Sequence, residues 1–451
     1  MRVAIPVILV VAASGGCKRG ADAGRTAPSA TTTSSSPAPT VVASTKASAS
    51  ATTSAAGSSA GVPVGTGVAT WKTADETKDC VLRSRDLDPN LASGGIAIAA
   101  KGKDFGVSFF YVTKTKGEGL VAFAGYDTQT RTLSIAHGLG KGILVTPRVF
   151  PRKDGWLATW FDAQGLVYAK ATWAATLPSF DRLPAVSSDV AMHTSIVRTK
   201  SGAVVATAPL TPGESAQLGL FQFAPEDEGN EPAVRALGAS HDAHKPEHPA
   251  LVETEDGFLV AWEDGADPAS HRIVVARFDA TGRELDKQRV LSTDGRPAAR
   301  PAVANTATGA LLAWSEGPPG APVVVVRALD AKGAPSGPSH VVGPGDLPTL
   351  TSTATGAALS FIRRAEGTPP HVAVVHVGED GAPAPSGVIV SELGKGRGAV
   401  SDRAGVALGE DGRLGFAFTY VDGMRGAVRS IKDEGCVGPS GSAPAPSGSA
   451  P

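Results

Sequence analysis

A short apolar segment that follows a glycine, and in most copies ends in an aromatic residue, recurs along this chain. The clearest copy is "DGFLVAW" (256–262). Others are "DGWLATW" (154–160), "SGAVVAT" (201–207), "TGALLAW" (308–314) and "TGAALSF" (355–361), with weaker copies in "GKDFGVSFF" (102–110) and "DGRLGFAF" (411–418). Successive glycines are 53, 47, 55, 52, 47 and 56 residues apart at Gly102, Gly155, Gly202, Gly257, Gly309, Gly356 and Gly412. A period near 50 predicts a repeat fold with one unit per copy.

Each unit divides into four strands. In the fourth they are "HPALVETE" (248–255), "GFLVAWED" (257–264), "HRIVVARFDA" (271–280) and "RELDKQRVLS" (283–292). The next unit repeats the pattern with "RPAVANT", "GALLAWSE", "PVVVVRALDA" and "PSHVV". Turns rich in Asp and Gly follow the third strands as "DATG" (279–282), "DAKG" (330–333) and "GEDG" (378–381). Helical repeats are excluded because Pro and Gly interrupt every candidate helix.

These patterns predict an all-β chain. The architecture that fits best is a single β-propeller of seven four-stranded blades spanning residues 67–437. Six or eight blades, and an array of β-sandwiches, remain open alternatives. The aromatic position that recurs once per blade is predicted to pack between blades, at Trp160, Trp262, Trp314 and Phe361.

Acidic residues follow this aromatic position at Asp162, Glu263, Asp264 and Glu316. We expect them to be polar strand ends, where the chain leaves the sheet. The alternative is that they ring one face of the propeller and bind cations or sugars there.

The N-terminal residues are typical of a bacterial export signal. Arg2 precedes an apolar run of about eleven residues, which is shorter than the roughly 20 needed to span a bilayer. The run ends in "SGGC", which resembles the lipobox of bacterial lipoproteins, although Ser14 stands where that family usually has Leu. The resemblance implies a signal peptide over 1–16 and lipidation of Cys17, and Lys18 implies outer-membrane sorting. An ordinary signal peptide cleaved nearby is the alternative.

Residues 17–66 consist almost entirely of Ala, Ser, Thr, Pro and Gly, and residues 438–451 have the same composition. Such segments bury too little apolar surface to offset their ordering entropy, so we predict a disordered tether and a disordered tail. The two remaining cysteines, Cys80 and Cys436, lie at the two ends of the body. In a closed propeller the first and last strands are neighbours, so we predict a Cys80–Cys436 disulfide; two free thiols are the alternative.

Candidate chemistry is sparse. With 42 basic and 43 acidic residues, the chain has no electrostatic footprint for nucleic acid. The segment "HDAHKPEHP" places His241, His244 and His248 close together, but their spacing matches no zinc motif, and a solvated loop is the simpler interpretation. We find no nucleophile elbow, phosphate loop or complete sialidase Asp box. The sequence therefore predicts no catalytic residue, metal or cofactor.

The "TGALLAW" segments, followed by "RFDATG" or "RALDAKG", resemble repeat-containing exported proteins of bacteria, many of them lipoproteins of uncharacterised activity. This resemblance covers roughly residues 94–431 and implies a propeller at the cell surface, without identifying a site. We expect a monomeric, lipid-anchored protein of the outer membrane, facing the periplasm or the cell surface. It would be a binding or scaffold module for a protein, peptide or polysaccharide. The alternative is a propeller enzyme, a glycoside hydrolase or lyase, acting on envelope carbohydrate.

Overall fold

The computed structural model describes residues 67–73, 83–86, 92–112, 119–128, 132–134, 137–143, 146–152, 155–171, 180–183, 194–200, 204–209, 218–223, 234–239, 246–391, 404–420 and 426–432. The chain divides into two compact parts, Met1–Gly57 and Ser58–Pro451, and every described residue belongs to the second part. The predicted signal peptide, the tail, all three cysteines, His241 and His244 lie outside the described residues, as does the predicted tether (17–66). The predictions made for them therefore remain predictions.

The described residues are all-β, with one 3-10 helix at Pro268–Ser270. No helix among them is long and apolar enough to span a membrane. Two strands come first, β1 (Thr70–Thr73) and β2 (Arg83–Asp86). Seven groups of strands follow in chain order, and we call them units 1 to 7.

Unit 1 contains β3 (Ala92–Lys101), β4 (Asp104–Val112), β5 (Gly119–Asp127), β6 (Thr132–Leu133) and β7 (His137–Lys141). Unit 2 contains β8 (Arg148–Arg152), β9 (Gly155–Asp162), β10 (Gly165–Ala171) and β11 (Phe180–Leu183). Unit 3 contains β12 (Ser195–Arg198), β13 (Val204–Pro209), β14 (Leu218–Phe223) and β15 (Val234–Ala239). Unit 4 contains β16 (Glu247–Glu253), β17 (Gly257–Asp264), β18 (Arg272–Asp279) and β19 (Arg289–Val290).

Unit 5 contains β20 (Ala298–Asn305), β21 (Gly309–Glu316), β22 (Val323–Asp330) and the first part of β23 (Pro335–Thr353). Unit 6 contains the rest of β23, β24 (Gly356–Arg363), β25 (His371–Gly378) and β26 (Ser386–Ile389). Unit 7 contains β27 (Gly405–Leu408), β28 (Arg413–Thr419) and β29 (Gly426–Lys432). Within each unit, neighbouring strands pair in an antiparallel meander, except that β6 and β7 of unit 1 both pair with β5.

The predicted second strands of units 4 and 5 are confirmed at their stated bounds, but two fourth strands differ from the prediction. The stretch 283–292 contributes only the two-residue β19. The predicted strand 338–342 is part of the 19-residue β23, which continues into unit 6. This strand bends between sheets after pairing with β22 up to Pro344, and it pairs with β24 from Gly345 onwards.

The recurring glycine begins the second strand because it lies against the backbone of the third. At Gly257, Gly309 and Gly356, an added Cβ would collide with a carbonyl oxygen of the third strand. The carbonyl belongs to Phe278 in unit 4 and to Leu329 in unit 5. The periodic glycine is therefore required because a side chain there would prevent the second and third strands from lying this close together.

The predicted Asp–Gly turns are also formed. Asp279 Oδ1 accepts a hydrogen bond from the Thr281 amide at 2.9 Å, and Asp330 Oδ1 accepts one from the Lys332 amide at 2.9 Å. Gly282 and Gly333 follow with φ of 81° and 66°. Positive φ favours glycine, so the same turn chemistry recurs in both units.

The first described strands attach to the last units. β2 pairs antiparallel with β29, with Arg85 opposite Val428. β1 adds to β26 in parallel, with Trp71 opposite Gly387. The Trp71 ring lies edge-on to Phe361 at 5.7 Å.

Apolar clusters join neighbouring units. Trp160 is buried between units 1 and 2, Trp262 between units 3 and 4, and Trp314 between units 4 and 5. Phe361 is buried between units 5 and 6. Unit 7 packs against unit 1 through Ala417 and Val428, so the last sheet contacts the first.

Candidate functional site

One strand from every unit lines a cavity of about 270 Å³. Its walls come from the first strand of each unit and are apolar for the most part. Each of these strands contributes one large apolar side chain, namely Ile98, Val149, Ile196, Leu251, Val303, Leu350 and Val406. Among the described residues that line it, Arg148 is the one charged side chain. The described wall thus brings no acids or histidines together.

A bulge interrupts the first strand of units 4, 5 and 6 just before the cavity wall. The bulged residues are His248, Arg300 and Leu347, with φ of 44°, 58° and 55°. Each precedes a proline, which has no N–H for the sheet ladder, and the strand register shifts at the same place. Because non-glycine residues rarely adopt positive φ, contacts from neighbouring side chains must hold these bulges.

Glu263 supplies such a contact between units 4 and 5. Its Oε1 accepts a hydrogen bond from the Arg300 amide at 2.6 Å. In the next repeat Ser315, which occupies the position of Glu263, accepts a hydrogen bond from the Leu347 amide at 3.2 Å. In units 4 and 5, the residue after the repeat Trp therefore anchors the bulge of the following unit.

Two histidines also contact the Glu263 carboxylate. His248 Nδ1 lies 2.9 Å from Oε1, and His271 Nδ1 lies 3.1 Å from Oε2. Glu263 is only 2% exposed, and this burial alone would raise its pKa. The hydrogen bonds from both histidines, the charge of His248 and the Arg300 amide outweigh burial and hold the pKa of Glu263 well below its usual range. The carboxylate is therefore held in its ionised form.

Glu247 completes a group that could hold a metal ion. One ligand atom from each of Glu247, His248 and Glu263 lies within 4.8 Å of the others. Glu247 and His248 are half-buried. They begin β16, whose next residues, Pro249 to Leu251, line the central cavity, so the group lies beside the cavity mouth.

Each of the other acids that follow the repeat aromatic is the last residue of its strand or lies next to it, and all of them are buried. Strands β9, β17 and β21 end at Asp162, Asp264 and Glu316, which are 8%, 2% and 1% exposed. Internal contacts make this burial tolerable. Asp264 pairs with Arg272 at 3.3 Å, Glu316 accepts a hydrogen bond from Trp314 Nε1 at 2.9 Å, and Asp162 accepts one from the Gln164 amide at 2.7 Å.

A second concavity, of about 380 Å³, lies at the opposite ends of the same strands. It separates the hairpins of units 4 and 5 and is lined by charged and hydroxyl side chains, among them Glu253, Asp256, Arg277, Thr308 and Asp330. We call it the hairpin groove. Arg277 lies 3.4 Å from Asp256, which also lines the groove, and 3.1 Å from Asp286, so two acids balance its charge.

Sequence reasoning identified only part of the cluster at the cavity mouth. It singled out His248 together with His241 and His244, of which only His248 lies among the described residues, and it named Glu263 separately as one of the acids after the repeat aromatic. It missed His271, which sheet pairing brings next to Glu263. The sequence signal for this cluster was Glu263, an acid directly after the repeat aromatic, where other units have Phe161, Ser315 and Ile362.

No protein-family model matches the chain, and no curated protein matches it. Solved structures with a similar arrangement of strands include a protein of unknown function from Dyadobacter fermentans, at 12% identity and a TM-score of 0.43, covering 64% of this chain and 97% of that one. A Penicillium chrysogenum alpha-L-arabinanase complexed with arabinobiose matches at 8% and 0.45, covering 79% and 99%. A polysaccharide lyase matches at 9% and 0.48, covering 77% and 98%. At these identities and scores, the similarities identify no residue or activity in this chain.

Proposed function

We propose that this chain is a lipid-anchored protein of the cell envelope whose body is a seven-bladed β-propeller, and that it binds or scaffolds a protein, peptide or polysaccharide. The seven units support the blade number. The pairing of β2 with β29, and the packing of unit 7 on unit 1, support closure of the ring. The lipobox-like segment ending in Cys17 supports the anchor.

The position of the polar groups is the observation that supports the binding function. The described wall of the central cavity is mostly apolar, with Arg148 as its one charged side chain, and the buried acids Glu263, Asp264 and Glu316 are each engaged within the protein. Glycoside hydrolysis requires two carboxyl groups that reach the bond to be cleaved. The hairpin groove, in contrast, offers many donors and acceptors on an open surface, which suits ligand binding.

A carbohydrate-active propeller enzyme is the second candidate. The observation that favours it is the proximity of Glu247 and Glu263, two carboxyl groups with oxygens within 4.8 Å of each other beside the cavity mouth. The arabinanase and the polysaccharide lyase named above act on carbohydrate, which suggests polysaccharides to test. Against it, Glu263 is 2% exposed and bound by three partners, so a substrate would have to displace them.

Assays on one set of polysaccharides separate the two candidates. The full chain is incubated with arabinan and with purified envelope polysaccharide, and both retention and released sugar ends are measured. We expect retention without product. Product release that is lost in Glu263→Gln would instead establish the enzyme.

The groove is tested by filling it. Thr308→Trp, at an exposed groove position, should weaken retention at least tenfold, whereas Thr368→Trp, at an exposed loop position outside the groove, should leave it unchanged. Equal retention by both variants would remove the groove from the proposal. The anchor is tested separately by labelling cells with a palmitate analogue, and we expect the label to be lost in Cys17→Ala.

A further inference from the structure

The cluster beside the cavity mouth has the geometry of a cation site. Ligands bound to Zn²⁺ at about 2.1 Å in a tetrahedron lie about 3.4 Å apart. His248 Nδ1 and Glu263 Oε1 are 2.9 Å apart, and one atom each from Glu247, His248 and Glu263 falls within 4.8 Å of the others. The three ligand atoms are therefore close enough together for one ion to contact all of them.

Glu263 is oriented in advance as a ligand. Its Oε1 is held by the Arg300 amide at 2.6 Å, and its Oε2 lies 3.1 Å from His271 Nδ1. Metal sites commonly have such outer contacts, which fix the direction of a ligand and lower the cost of organising it. His271 and the Arg300 amide would keep these positions while the metal replaces the proton between His248 and Glu263.

Charge and access are consistent with the same role. Two carboxylates and one neutral imidazole carry a charge of −2, which a divalent cation neutralises. The mixed nitrogen and oxygen donor set suits a borderline first-row ion more than calcium or magnesium, which prefer oxygen alone. The His248 side chain is 19% exposed, so an ion can enter from solvent and keep one position for water.

We propose that Glu247, His248 and Glu263 form a binding site for a divalent transition ion such as Zn²⁺ at the mouth of the central cavity. His271 positions Glu263 and does not bind the ion. The site is independent of the polysaccharide or protein ligand proposed above, so either proposal can fail without the other.

The test is calorimetric titration of the full chain with Zn²⁺, using protein without a histidine tag and with its thiols alkylated. We expect one equivalent to bind. His248→Ala and Glu247→Gln should each weaken binding at least about tenfold. Because Glu247 is half-buried and Gln is isosteric, Glu247→Gln should fold normally even if His248→Ala does not. The matched control, His244→Ala, removes a nearby histidine of the same segment and should leave binding unchanged.

A second measurement uses thermal unfolding. Zn²⁺ should raise the unfolding midpoint of the native chain and of His244→Ala, because ligands that bind the folded state stabilise it, but not that of Glu247→Gln. The proposal is overturned if the native chain binds no Zn²⁺, or if Glu247→Gln binds it with unchanged affinity. Loss of binding in His244→Ala would assign the ion to the upstream histidines and would also overturn it.

Discussion

Two tryptophans in equivalent positions differ in one hydrogen bond, and this difference predicts unequal effects of the same substitution. Trp262 and Trp314 are both fully buried at 0% exposure. Trp314 Nε1 donates to Glu316 Oε2 at 2.9 Å, whereas Trp262 Nε1 has no hydrogen-bond partner among the described residues. Unit 6 has Phe361 at this position, so the fold accepts a phenyl ring there.

The packing lost on replacing Trp by Phe is similar at the two positions and cancels in the comparison. The hydrogen bond does not cancel, because Trp314→Phe leaves a buried carboxylate with one donor fewer. A hydrogen bond to a charged group contributes about 1.5–3 kcal/mol. Trp314→Phe should therefore lower the free energy of unfolding by about 1.5–3 kcal/mol more than Trp262→Phe.

The measurement is urea unfolding followed by circular dichroism, with linear extrapolation for the parent and both variants. Glu316→Gln provides the control, because in that background the acceptor is neutral and the difference between the two Trp variants should shrink. Equal destabilisation by Trp262→Phe and Trp314→Phe, within about 0.5 kcal/mol, would refute the assigned hydrogen bond and the argument from buried charge.

Three further predictions address the backbone, the pH response and the ring. Gly309→Ala should lower the free energy of unfolding by about 2–4 kcal/mol in the same urea assay, because the new Cβ would meet a carbonyl oxygen. Gly320 has open space around it, so Gly320→Ala should change that free energy by no more than about 1 kcal/mol. Equal effects of the two substitutions would contradict the close approach of the strands at Gly309. Burial lowers the pKa of His376 in the folded protein below 6.5, so the unfolded state binds a proton more readily than the folded state. The urea midpoint should therefore fall as the pH drops below about 6.5. A similar fall in His376→Phe would exclude this histidine as the cause. Non-reducing peptide mapping should show Cys80 joined to Cys436 by a disulfide. Because this disulfide closes a long loop, its reduction should lower the free energy of unfolding by up to about 5–6 kcal/mol; two free thiols in exported protein would refute the disulfide.

Strand positions were predictable where the pattern depends on local chemistry. Gly257 and Gly309 begin their strands because only glycine fits against the third strand, and the Asp279 turn follows from side-chain hydrogen bonding. The short β19 was not predictable, because the pairing of an outer strand depends on neighbours that the segment itself does not specify.

The acids of the candidate site illustrate the limit of sequence reasoning. Asp and Glu are rarely buried without a partner, and the sequence indicated only that Glu263 and Glu316 are polar strand ends. Their burial depends on partners distant in the chain, such as the Arg300 amide, 37 residues away from Glu263. Only the packing of unit 5 against unit 4 brings that donor to the carboxylate.

By itself, the sequence determined the all-β class, the repeat and its period, and the aromatic position in each unit, because these depend on side-chain volume and turn geometry within about 50 residues. The tertiary structure alone decided which polar residues meet. It brought His248, His271 and Glu263 together through a bulge and a strand pairing, and it placed an apolar wall around the central cavity. Strand pairing within unit 4 and the packing of unit 5 against it set the environment of Glu263, and the repeat pattern alone shows neither.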